Sequence, residues 1–186
     1  MLKRFYAVFL LLLALVAMPL VALAQEGSGA LIQTTKGNIV VEFFAPEAPT
    51  TVANFKGLVK KEFYDQGMVW HRVVPGFVIQ TGDPTNTGMG GSGKTIPLEV
   101  QNKLSHNAAG VLAMARSENP NSASSQFYIT LAPATFLDGK YAVFGRVIQG
   151  LEVLPRIKQG DGVTSIRLVD TSALPVEKDS PKQKRN

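Results

Sequence analysis

The chain reads as a mainly β protein, a closed or sandwiched antiparallel sheet accompanied by two helices. Three observations predict this. Apolar residues fall in short runs rich in β-branched and aromatic types, and turn formers separate those runs. Only two stretches switch to the three- and four-residue spacing of a helix. Strands alternating regularly with helices would have indicated a parallel sheet instead.

Leu31 to Thr35 and Asn38 to Phe44 flank Lys36-Gly37 and read as a hairpin, because Gly supplies the positive φ that such turns need. Val52, Phe55, Leu58 and Val59 then recur at helical spacing behind Pro49 and Thr50, which predicts a helix over Pro49 to Lys61. Further strands are expected at Val69 to Val74, Phe77 to Thr81, Val111 to Ala115, Gln126 to Leu131, Ala142 to Ile148 and Ser165 to Val169. Leu151 to Lys158 reads as a short second helix, weakened by Pro155 unless the helix starts there. Gly82 to Ala109 is long, lacks periodicity and is rich in Gly, Thr, Asn and Ser, the mark of a functional or mobile loop.

Composition narrows the chemistry. A chain of 186 residues, 45% hydrophobic and 18% charged, fits one globular domain. Cysteine is absent, which excludes disulfides, thiol nucleophiles, Cys-ligated zinc and iron–sulfur clusters. With only His71 and His106 besides, a site built from several histidines is not expected, and an enzyme here must work without a tuned nucleophile and base.

Lys3 and Arg4 precede an uncharged apolar stretch, and Ala22-Leu23-Ala24 supplies the small residues of a cleavage site before Gln25. Residues 1–24 therefore read as a secretory signal peptide, with an uncleaved membrane anchor as the alternative. Cleavage leaves 162 residues and lowers the formal charge from +5 to +3, so the basic pI carries no argument for nucleic acid. Residues 25–30 form a linker, 31–173 the domain, and the Lys-, Pro- and Ser-rich stretch 174–186 a disordered tail. No stable membrane association is expected after cleavage, and a monomer is the default.

Gly88-Met89-Gly90-Gly91-Ser92-Gly93-Lys94-Thr95 satisfies the G-x-x-x-x-G-K-[ST] pattern of phosphate-binding loops. That loop works only when a buried strand leads in and a helix begins at its Lys-Thr, so that backbone N–H groups face the phosphates. Here the lead-in is a cluster of turn formers from Gly82 to Thr87, and Pro97 falls where the helix would start. Nucleotide binding is therefore not expected despite the letters.

The densest unusual sequence is Trp70-His71-Arg72-Val73-Val74-Pro75-Gly76-Phe77-Val78-Ile79-Gln80-Thr81-Gly82-Asp83. With Met114-Ala115-Arg116, Ser125-Gln126-Phe127-Tyr128-Ile129 and Phe136-Leu137-Asp138-Gly139-Lys140-Tyr141, it resembles the cyclophilin-type peptidyl-prolyl isomerases in order and spacing. The resemblance runs from Leu31 to about Val169. It implies a closed eight-stranded antiparallel β-barrel capped by two α-helices, with the active-site groove on its outside. By position it implies a catalytic Arg72 and a substrate surface of Phe77, Val78, Gln80, Ala115, Arg116, Gln126, Tyr128, Phe136, Leu137 and Tyr141. Several positions depart from the family. Val78 stands where many members carry Met, and Tyr128 where most carry Phe. Phe136 and Tyr141 stand where the well-studied eukaryotic members have Trp and His. Met114-Ala115-Arg116 looks like the bacterial branch, and the signal peptide then suggests a periplasmic protein.

These residue types suit the reaction. Rotation about an X-Pro bond faces a barrier of ~18–20 kcal/mol because amide resonance must be broken. No bond is made or cut, so nucleophile, metal and cofactor are all superfluous. As the amide twists, the proline nitrogen recovers its lone pair, which a directed cation stabilises more than it stabilises the planar ground state. A guanidinium supplies that charge with a rigid fork of donors. Phe77, Tyr128 and Leu137 are the proposed walls of an apolar cup for the proline ring, and Gln80 and Gln126 are neutral donors beside it. The expected partners are proline-containing unfolded or flexible polypeptides. The competing reading is a proline-peptide binding module or holdase with little turnover. Strand alternation predicts that an inward Phe127 turns Tyr128 outward. His71 is expected to face the core on a backbone partner, with a substrate role as the alternative, and His106, in a polar loop, is assigned no role.

Overall fold

The computed structural model describes residues 27–100, 104–172 and 174–175. The proposed signal peptide and all but two residues of the proposed tail lie outside the described residues. Of that tail, Leu174 N–H donates to Thr171 O (3.1 Å) and Gln149 Nε2 donates to Pro175 O (2.9 Å).

Eight antiparallel strands form one sheet. They are β1 (Gly29–Thr34), β2 (Gly37–Phe43), β3 (Arg72–Val74), β4 (Val78–Thr81), β5 (Val111–Met114), β6 (Phe127–Thr130), β7 (Val143–Gln149) and β8 (Val163–Val169). Their spatial order is β3-β4-β6-β5-β7-β2-β1-β8. β1 starts two residues earlier than the sequence suggested, with Ala30 fully buried, and Thr34 pairs with Gly37 so that Thr35-Lys36 make the turn. Gly37 closes it at φ 135°, a value that favours glycine.

The sheet is a curled half-barrel and not the closed barrel expected. Its edges, β3 and β8, do not pair with each other. β3 is only three residues long, because the run before it leaves the ladder: Val69 meets Gly162 in an isolated bridge. Trp70 N–H donates to Asp161 O (2.9 Å) and Val163 N–H to Met68 O (2.8 Å), so segments beside the edges touch where a full ladder would have closed the sheet.

The helix expected over Pro49 to Lys61 is α1 (Pro49–Lys60). It buries Thr51, Val52, Phe55 and Val59 on one face, as its spacing demands. Its N-terminus has no side-chain cap of its own. Glu99 reaches in from the long loop instead, accepting from Thr50 N (2.9 Å), Thr51 N (2.6 Å) and Thr51 Oγ1 (2.6 Å). The second expected α-helix is a 3-10 helix, Leu151–Arg156. Pro155 has no N–H to continue an α-helical ladder, so the segment makes only tight turns while still burying Val153 and Leu154.

Two apolar clusters lie on opposite faces of the sheet. The larger fills the concave side, where the Phe55 ring centroid is 5.6 Å from Phe43, 5.2 Å from Tyr64, 5.3 Å from Phe127 and 5.4 Å from Phe144. Trp70 belongs to it and is fully buried. The smaller cluster joins Phe44, Val78, Leu104, Val111, Ala113, Tyr128 and Val143, with Phe77, Ala115, Leu137 and Tyr141 partly buried against it. The groove is built on this second cluster.

Candidate active site

Register assembles the site. Arg72 on β3 lies opposite Gln80 on β4, Gln80 opposite Tyr128 on β6, and Tyr128 opposite Ala113 on β5. Residues in lateral register share a face of the pleated sheet, so one row across four strands carries Arg72, Gln80 and Tyr128 to the convex side. Val78 joins them two residues before Gln80, while Ile79 between them points into the main core. Phe127 and Tyr128 divide in the same way, with Phe127 inward and Tyr128 outward.

A cavity of about 250 Å³ opens on this face, lined by Arg72, Phe77, Val78, Gln80, Ala115, Arg116, Tyr128, Leu137 and Tyr141. Every proposed site residue is therefore in its wall except Gln126 and Phe136, and both of those touch the wall. Phe136 is 63% exposed and stacks on Phe77 with ring centroids 5.6 Å apart. Gln126 lies behind Gln80 and lines a neighbouring hollow bordered by Gly88, Gly90, Arg116 and Ser124.

A chain of amides holds the exposed cation. Arg72 Nη1 donates to Gln80 Oε1 (3.3 Å), Gln80 Nε2 to Gln126 Oε1 (2.8 Å), and Gln126 Nε2 to both Gly88 O (2.9 Å) and Gly90 O (2.8 Å). The guanidinium also lies 5.8 Å from the centre of the Phe77 ring, so charge and apolar wall are side by side. Across the cavity, Arg116 donates from Nε to Lys140 O (2.9 Å) and from Nη1 to Ser117 O (2.8 Å), with its guanidinium 4.8 Å from the Tyr141 ring centre.

The loop that supports Gln126 is organised by one anion. The Asp83 carboxylate, on a fully buried residue, accepts from Thr85 N (2.8 Å), Thr87 N (3.1 Å), Gly88 N (2.6 Å) and Gly90 N (3.1 Å). Burial alone would raise its pKa. The backbone N–H and hydroxyl of Thr85 and the amides of Gly90 and Gly88 outweigh that and hold it well below the usual carboxylate range. The phosphate-loop pattern thus turns its amides inward to Asp83, and after Lys94 the chain makes a bridge at Ile96 with Ala123 and starts no helix.

Two histidines depart from expectation. Both ring nitrogens of His71 are buried, and the polar side chain beside them is Gln126, so the backbone partner expected for it is not found. His106 is not a solvated loop residue. It is fully buried, with Nδ1 2.7 Å from Asp138 Oδ1 and Nε2 2.8 Å from Tyr128 Oη. Its local sequence gave no signal, because those partners lie 32 and 22 residues away. Among the described residues no group of three or more His, Asp or Glu is placed to hold a metal ion.

Residues 30–178 match the family model for cyclophilin type peptidyl-prolyl cis-trans isomerase/CLD. The chain belongs to the cyclophilin-type isomerases. Peptidyl-prolyl cis-trans isomerase ppi1 of Schizosaccharomyces pombe is 45% identical over 149 residues, spanning 78% of this chain and 90% of that protein. Peptidyl-prolyl cis-trans isomerase-like 1 of Emericella nidulans is 44% identical over 127 residues, 67% of this chain and 77% of that one. Among solved structures, the Cryptosporidium parvum cyclophilin crystallised in the presence of the dipeptide Ala-Pro superposes with a TM-score of 0.71 at 32% identity, covering 76% of this chain and 99% of that one. These fungal relatives share the isomerase assignment and give no support to the bacterial periplasmic branch suggested by Met114-Ala115-Arg116. One outer face of this cyclophilin-type fold therefore carries a cation, two amides and a cavity whose wall is part apolar and part charged.

Proposed function

We propose that this cyclophilin-type isomerase accelerates rotation about X-Pro bonds with Arg72 as its electrostatic catalyst, acting on proline-containing segments of exported polypeptides. One observation carries the residue assignment: the guanidinium at the end of the Gln80–Gln126 chain faces the same cavity that Phe77, Tyr128 and Leu137 line. A proline ring seated in that cavity brings its nitrogen within reach of the Arg72 donors. The charge then acts most strongly on the twisted amide, where the lone pair is localised. Gln80 limits the rotamers of the arginine, so the donors are aimed before substrate arrives. Gln126 and the groove beyond it receive the neighbouring peptide. A five-decade acceleration corresponds to about 7 kcal/mol. One charge-assisted contact supplies roughly 3–4 kcal/mol of that, and orientation of the peptide supplies the remainder.

The test is NMR exchange or a protease-coupled assay on a short Ala-Pro peptide, comparing wild type with Arg72→Ala. Acceleration that collapses in the variant supports the assignment. A variant at full rate sinks it. Peptide binding without acceleration by either protein establishes the binding-module reading instead.

The export part of the proposal rests on Lys3, Arg4, the apolar run and Ala22-Leu23-Ala24 alone. Expression of the full chain in a secreting host, followed by N-terminal sequencing, should show a first residue of Gln25 outside the cytoplasm. Retention of Met1 in the cytoplasm overturns it, and retention in the membrane fraction supports the uncleaved anchor.

A further inference from the structure

The reaction proposed above uses the ring of Tyr128 and leaves its hydroxyl without a task. That hydroxyl is not in solvent. The residue is 4% exposed, and burial, aided by Tyr141 and Asp138, pushes its pKa upward, so it stays a neutral O–H. Its partner is Nε2 of the fully buried His106 at 2.8 Å, and the two rings lie 15° from parallel with centroids 5.9 Å apart.

His106 is itself clamped from the other side. Asp138 Oδ1 accepts from the His106 backbone N–H (2.8 Å) and lies 2.7 Å from Nδ1, while Ser105 Oγ donates to Asp138 Oδ2 (2.5 Å). Ala134 N–H donates to His106 O (2.7 Å). Burial lowers the imidazole pKa despite the opposing carboxylate, so the ring is neutral at neutral pH. A neutral ring facing a carboxylate at Nδ1 carries its proton there. Nε2 is then an acceptor, and the Tyr128 O–H donates to it.

Asp138 directly follows Phe136 and Leu137, which the 3-10 helix Thr135–Leu137 presents at the groove. One imidazole therefore joins two walls of the proposed proline cup that come from separate parts of the chain: Tyr128 on β6, and Leu137 with Phe136 beside it. We propose that His106 is a positioning residue for substrate, setting the width of the proline cup by tying Tyr128 to Asp138. This rests on the isomerase reading of the groove. A phenylalanine at position 128 would fill the same space without the tie.

The consequence is kinetic. A cup that holds the proline ring alike in the planar and twisted amide affects ground and transition states equally, so loosening it raises KM and spares kcat. The variant to make is His106→Phe, which keeps a ring against Tyr128 and removes both nitrogens, measured with Tyr128→Phe and the double variant on an Ala-Pro peptide. The expected result is an increase in KM of about tenfold, the scale of one buried hydrogen bond, with kcat within about twofold. In the Tyr128→Phe background, where the tie is already absent, His106→Phe should add less than about twofold.

A folded His106→Phe protein with unchanged KM, a loss confined to kcat, or an equal further loss in the Tyr128→Phe background overturns the proposal. Because a buried substitution can unfold the chain, nitrogen-15 NMR of the wild-type imidazole is the second measurement. It should show a protonated Nδ1 and a bare Nε2 at neutral pH, and the opposite tautomer or an imidazolium overturns the tie. Wild type without acceleration fails at the reference assay, before any variant is compared. That outcome removes the isomerase reading and this proposal with it.

Discussion

Phe127 and Tyr128 are neighbours on one strand and serve opposite ends. Phe127 points into the concave core, where Phe55, Tyr64 and Trp70 meet it edge to face. Tyr128 points to the convex cluster, where apolar packing is thinner and hydrogen bonds to His106 and Asp138 fix the side chains. The concave face sets stability by filling space. The convex face sets geometry by direction, because an apolar contact tolerates small rotations that a hydrogen bond does not.

The largest loss is expected on the concave side. Phe55→Ala should destabilise the protein by ~3–5 kcal/mol, since it removes a ring that four others touch. Denaturant titration measures this, and the fraction that stays folded should isomerise at the wild-type rate. Loss of rate in that folded fraction would show that the two faces are not separable.

On the convex side the effect reverses. Arg72→Ala should lower kcat/KM by roughly 10²–10³-fold and move stability by no more than about 0.5 kcal/mol, because the side chain is exposed. A melting temperature that falls with the rate would mean that the charge also holds the fold.

Asp83→Asn falls between these two effects, because the side chain lies behind the groove and is neither core nor catalyst. It should cost about 1–3 kcal/mol through unpaired loop amides, and reduce the rate severalfold as the Gly88 and Gly90 carbonyls release Gln126. Its folded pKa is depressed below the unfolded value of 3.8, so its contribution is complete above that value and disappears as pH falls through and below it. The gap between the melting temperatures of wild type and variant should therefore be constant above about pH 4 and shrink steadily as pH falls below it. A gap that stays the same below about pH 4 would exclude the carboxylate as the cause.

The smallest effect belongs to Glu99→Gln, which weakens the cap on α1 and touches neither apolar cluster. A loss of about 1 kcal/mol is expected, with kcat/KM unchanged, and a changed rate would reveal coupling between α1 and the groove.

Legibility in the sequence follows the same division. Short runs of β-branched and aromatic residues between turn formers marked the eight strands and three- to four-residue spacing marked α1, because both signals are local in the chain. The incomplete closure was not legible: it depends on how far Val69 and Gly162 depart from the β3 and β8 ladders. The second helix was misread as α because its burial pattern is helical, while Pro155 decides the hydrogen bonding. At the site, Arg72, Phe77 and Gln80 stood out through the family motif. His106 did not, since a buried imidazole between Ser105 and Asn107 looks like any polar loop until Tyr128 and Asp138 are brought to it.

The Asp83 loop has one more consequence, in time rather than space. Thr85, Thr87, Gly88 and Gly90 belong to no strand or helix, yet their amide hydrogens point at a buried carboxylate. They should exchange with deuterated solvent as slowly as amides of the sheet. A segment that looks like a mobile flap by composition would then be among the stiffest stretches of backbone bordering the groove, and the peptide would meet a wall that is already set.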